Sequence, residues 1–161
     1  MCSADERMRD ADDQNEIART VIGCSITVHR RIGPGCFETA YAPCLAHELT
    51  RHGLRFNISV AMDLLYEGLV VPRAYCIDFI VEDCLVLELK ALEHTERIHG
   101  RQMLTYLRLT GMPLGLLLNF GAKTMADGVE RVANNFPHGT EPIGRRSARP
   151  GLDIESGAQP Q

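Results

Sequence analysis

The chain has 161 residues, 45% hydrophobic and 24% charged, with a formal net charge of −4. That length suits one domain with its own core and leaves little for a second. The charge balance argues against a broad basic surface for coating polyanions, and no apolar run nears the ~18 residues that cross a bilayer. The opening segment MCSADERMRDADDQ is acidic and polar, unlike a secretory signal or transit peptide, so a cytoplasmic, non-membrane protein is expected. The six cysteines form no CxxC pair. They read as buried, reduced side chains rather than as a thiolate metal site.

In chain order, residues 1–14 read as a flexible acidic leader. A helix is predicted from Asn15 to Arg31, because Ile17, Val21, Cys24 and Val28 recur on one helical face. Gly33-Pro34-Gly35 breaks the chain. A second helix is predicted over Thr39–His52, with Leu45 and Leu49 inward and Gly53 just past its end. The period then changes to two, giving strand candidates at Phe56–Val60, Leu64–Tyr66, Tyr75–Val81 and Leu85–Lys90. A third helix follows over Thr95–Thr110, stopped by Gly111 and Pro113. Leu114–Phe120 is apolar enough for a strand covered on both faces. Residues 127–135 fit a short helix or a strand. From residue 137 the chain is rich in Gly, Pro and Ser and reads as a disordered tail, so truncation at residue 140 is expected to leave stability nearly unchanged. The order of elements predicts a single α/β domain over residues 15–136.

The segment YCIDFIVEDCLVLELK carries the chemistry. Glu88 and Lys90 are two apart on a strand and share a face. A two-residue turn at Glu82-Asp83 would set Asp78 against Leu87 and separate the carboxylates. A three-residue loop, Glu82-Asp83-Cys84, sets Asp78 against Glu88, Ile77 against Leu89, Phe79 against Leu87 and Val81 against Leu85. One face is then apolar and the other acidic, so the hydrophobic pattern and the chemistry select the same loop. Two carboxylates so placed repel unless a cation lies between them, and a hard divalent ion such as Mg²⁺ suits oxygen ligands. Such an acid–acid–lysine pattern on a hairpin is common, and alone it is weak.

Several further stretches agree in order and spacing: IGCSITVHRRIGPGCFETAYAPCLAHEL, the ELK triplet, RQMLTYL and MPLGLLLNF. Together they resemble the GxxExxY family of the PD-(D/E)XK nuclease superfamily, whose name motif stands here as Gly35 to Tyr41. The resemblance covers roughly residues 17 to 135. It implies a restriction-endonuclease-like fold, a mixed central β-sheet flanked by helices. By position it implies Asp78 and Glu88 as metal ligands, completed by Glu38 on the preceding helix, with Lys90 as the catalytic lysine. Gln102 and Tyr106 match a glutamine–tyrosine pattern of RecB-like nucleases and share one helix face. The implied activity is Mg²⁺- or Mn²⁺-dependent hydrolysis of DNA or RNA, with nucleic acid as partner; separately, 161 residues leave no second domain for sequence recognition, so a homodimer or partner subunit is expected. The alternative is a catalytically silent module on the same fold that binds nucleic acid or a protein. Arg97, Arg101 and Arg108 on the third helix are spaced as a phosphate-contacting row.

Overall fold

The computed structural model describes residues 4–135 and 141–148. Two helices come first, α1 (Ala4–Ile32) and α2 (Glu38–Arg51), followed by the strands β1 (Phe56–Tyr66), β2 (Leu69–Val81) and β3 (Leu85–Lys90). Helix α3 (Arg97–Thr110) leads to β4 (Leu114–Asn119), α4 (Met125–Gly128), β5 (Val129–Ala133) and β6 (Gly144–Arg146). The strands form one sheet in the order β5-β4-β3-β2-β1-β6. The β3–β4 pair is parallel and every other pair is antiparallel. The expected mixed sheet flanked by helices is therefore the fold observed.

The sheet has a core on each face. Val21, Cys24 and Val28 of α1 and Tyr41, Leu45 and Leu49 of α2 pack against Phe79, Leu87, Leu89, Leu116 and Leu118. On the other face Met103, Tyr106, Leu107 and Leu109 of α3 cover Val60, Met62, Ile77, Ile80 and Val86. β3 and β4 are thus buried on both sides, which explains their unbroken apolar sequences. At Gly115 of β4 an added methyl group would collide with Met103, so α3 rests directly on the strand backbone. No helix among the described residues is long and apolar enough to cross a membrane.

Three expectations are corrected. The leader is not separate, because α1 begins at Ala4 and runs unbroken through residue 14. The two strand candidates at 56–60 and 64–66 are one strand, irregular between Met62 and Leu64. The polar tail returns to the sheet, as Gly144–Arg146 pair with Met62–Leu64; residues 136–140 and 149–161 lie outside the described residues. Residues 127–135 contain both of the elements considered, the end of α4 and then β5.

The returning strand is held by Asp63, a buried acid within β1. Its carboxylate accepts hydrogen bonds from the Ser147 hydroxyl, the Arg73 backbone N–H and the Arg145 guanidinium. These bonds, the Ser147 one foremost, hold the Asp63 carboxyl below its ordinary range. Gly144 lies so close to the Asp63 carbonyl and to Leu109 that no larger residue fits. Truncation after residue 140 is therefore expected to lower the melting temperature by roughly 5 °C or more, since it strips a strand edge and two partners from a buried acid. Melting curves of the two proteins check this, and unchanged curves would show that β6 adds nothing to the core.

Candidate active site

The β2–β3 connection places the candidate residues. Glu82 and Asp83 both adopt left-handed backbone (φ 48° and 53°), and Cys84 completes the loop. Arg55 clamps this loop, donating from its guanidinium to Glu82 at 2.7 and 3.0 Å. The ladder runs Phe79–Leu87, Ile80–Val86 and Val81–Leu85, the register of the three-residue loop.

The ladder stops one pair short of the carboxylates. In place of a backbone bond, Asp78 Oδ2 accepts the Leu89 N–H at 2.8 Å. Asp78 thus fills the gap between the parting strands rather than standing beside Glu88 in a regular pair. The expected Ile77–Leu89 pair is absent as well: Ile77 packs in the α3-side core and Leu89 in the other. The cause lies across the sheet, where Ser59 of β1 adopts a left-handed φ of 52° between the pairs Ile58–Phe79 and Val60–Ile77. That turn interrupts the alternation at Asp78 itself.

Glu88 is 5% exposed. One carboxylate oxygen, Oε1, accepts a 2.8 Å hydrogen bond from Lys90 Nζ. The other, Oε2, is buried without a hydrogen-bond partner among the described residues. Burial, and to a smaller degree the nearby Asp78 charge, push Glu88 up to about 7 against the pull of Lys90. Tyr106 reaches the same region from α3. Its hydroxyl accepts from Gln102 Nε2 at 2.9 Å and points to the Cys76 carbonyl at 3.5 Å. Burial, with the charges of Glu88 and Asp78 behind it, raises the phenol well above its ordinary value, so Tyr106 stays protonated there.

Glu38 is the outlying member. It is exposed at the first turn of α2, and it lines a cavity of about 180 Å³ together with Thr39, Ser59, Asp78 and Leu89. Among the described residues no three acidic, histidine or cysteine side chains are grouped tightly enough to enclose a cation. The Tyr41 of the same motif is structural. It stacks on Phe120 (centroids 4.5 Å apart), donates to the Gly33 carbonyl and accepts from the Cys36 N–H. Tyr41 therefore anchors the loop that delivers Glu38.

A positioning residue that the sequence reading missed is Asn119. Its amide is buried at the end of β4, beside Lys90 in the parallel register. Oδ1 accepts from the N–H groups of Leu92 and Gly121, and Nδ2 donates to the Leu92 carbonyl. The amide fixes the backbone just beyond Lys90. A lone polar residue ending the apolar run LGLLLN was its only signal.

The residues fit a divalent cation in their chemistry: an all-oxygen acid pair, one member with a buried, unsatisfied oxygen. The family model of the PD-(D/E)XK nuclease superfamily matches residues 15–132. No curated protein and no solved structure shows significant similarity to the chain.

Proposed function

The chain belongs to the PD-(D/E)XK nuclease superfamily, and from that premise we propose that it is a divalent-metal-dependent phosphodiesterase acting on nucleic acid. The observation that carries the reading is the buried Glu88 carboxylate, with one oxygen on Lys90 and the other unsatisfied beside Asp78. A carboxylate removed from water needs a partner for each oxygen. Asp78 and Glu88 are the proposed ligands, and Glu38, which lines the cavity with Asp78, would join them by a change of side-chain rotamer. Mg²⁺ or Mn²⁺ held there supplies charge neutralisation on a phosphate and a more acidic bound water.

The protein's own groups have distinct tasks. Asp78 is held by the Leu89 N–H and lines the cavity together with Glu38. Lys90 donates to Glu88 and is the group proposed to meet the negative charge that builds on a phosphate in the transition state. Tyr106 stays a neutral donor, positioned by Gln102, and so is no candidate for the general base.

Calorimetric titration of Mg²⁺ and Mn²⁺ tests the site. Saturable binding is expected in the wild type and absent in an Asp78→Asn/Glu88→Gln double variant. With Glu88 titrating at about 7, binding near pH 6.5 should displace its proton, and binding at pH 9 should displace almost none. Repeating the titration in buffers of different ionisation enthalpy reads that release. Equal heats in wild type and double variant would remove the proposed ligands.

A further inference from the structure

A larger cavity of about 520 Å³ adjoins the one that holds Asp78, and the two share Ile58 and Ser59 in their walls. Its size falls within the roughly 300–1,000 Å³ of ligand-binding clefts. Residues 56–61 of β1, Arg73 and residues 146–148 line it, so two arginines face it and no carboxylate does. In a chain of net charge −4, that local excess of positive charge stands out. Among the described residues β6 pairs with Met62–Leu64, and on that side the outward backbone groups of residues 57–60 have no strand partner among them.

The two arginines differ in commitment. Arg73 is exposed, and its guanidinium makes no hydrogen bond or ion pair among the described residues. Its backbone is fixed instead, in a left-handed φ of 51° with its N–H on Asp63. Arg146 bridges Asp83 at 2.7 Å and Asn57 at 3.3 Å. Both groups of the Arg146–Asp83 pair are solvent-exposed, and such pairs are held weakly enough to exchange. Ser59, on the shared wall, is also left-handed. L-residues adopt this conformation only where the surroundings impose it, and such positions gather at ligand sites. Arg146 and its neighbours lie beyond residue 132, where the family match ends.

We propose that this groove is the track by which the phosphates of a nucleic-acid strand leave the catalytic cavity, with Arg73 as the main phosphate contact and Arg146 as the second. The assignment rests on the phosphodiesterase reading and adds the path of the polymer to it. A rival path crosses α3, where Arg97 and Arg101 are exposed.

Fluorescence anisotropy of labelled 12-nucleotide DNA and RNA, with Ca²⁺ in place of Mg²⁺, separates the possibilities. Arg73→Gly removes the charge and suits the left-handed backbone, so a wild-type melting temperature is expected. Its affinity should fall about 5- to 10-fold, and the slope of log K against log salt should become shallower by ~0.7. Arg73→Lys should recover most of the loss, and Arg101→Ala should bind as wild type does. The DNA and RNA arms identify which polymer follows the track. Wild-type affinity in Arg73→Gly, or a loss confined to Arg101→Ala, would overturn the groove and leave the phosphodiesterase standing. Failure of the wild type to bind either polymer would remove both.

Discussion

Replacing Glu88 by Gln is expected to make the metal-free protein more stable at pH 8 and to leave it little changed at pH 4.5. The folded protein holds the Glu88 proton to a pH of about 7, whereas the unfolded chain releases it near 4.5. Below the lower value both states are protonated, and the wild type has its full stability. As the pH rises from 4.5 through 7, the unfolded state releases its proton first, and the wild type loses up to about 3 kcal/mol. Gln mimics the protonated acid and escapes that loss. Melting temperatures in EDTA should therefore diverge with pH, reaching a gap of roughly 5–10 °C at pH 8. Adding Mg²⁺ should raise the wild type alone, because only an ionised Glu88 gains from a cation. A Gln variant less stable than wild type at pH 8 would mean that the Lys90 pair outweighs the burial of the charge.

The second large effect falls on activity. Lys90→Met should lower cleavage of a sensitive nucleic-acid substrate by roughly 10²–10³-fold, the usual loss when one charge-stabilising donor is removed. Its melting temperature at pH 7 should stay near the wild-type value. Breaking a buried ion pair ordinarily costs about 3–5 kcal/mol because a charge is stranded. Glu88, already at about 7 with the lysine present, escapes by keeping its proton. Assay of cleavage and melting in the same preparation decides the matter. Loss of folding in step with activity would make Lys90 a structural lysine.

The hairpin was legible in the sequence because two constraints met there. A period of two with one apolar face permits only an odd loop, and the observed ladder has that register. What the pattern could not carry was the break at Asp78, which is imposed by the left-handed Ser59 on the neighbouring strand. Nothing in a Ser codes for that backbone. The strand β6 failed for the opposite reason: Gly-Arg-Arg has no hydrophobic pattern, and its pairing depends on charge across 82 residues of chain. One clue was present. Asp63 interrupts the apolar run from Val60 to Tyr66, and a buried acid requires donors from somewhere. The shared face of Glu88 and Lys90 was readable from their spacing, and the roles proposed for them and for Asp78 come from family likeness, whereas the exposure of Glu38 and the clamp made by Asn119 needed coordinates.

The distance along the chain from Met62 to its partner Arg146 also sets an order of events during synthesis. Asp78 and Glu88 are joined by a short hairpin, which closes in microseconds once both strands have left the ribosome. The parallel β3–β4 pair must wait for α3, and β6 for nearly the whole domain. At about 5–20 residues per second, the outer edge of β1 stays open for several seconds while neighbouring nascent chains crowd around it. Open strand edges are templates for intermolecular pairing. Slower translation through residues 67–144 should therefore lower the soluble yield of this protein without touching any residue of the site.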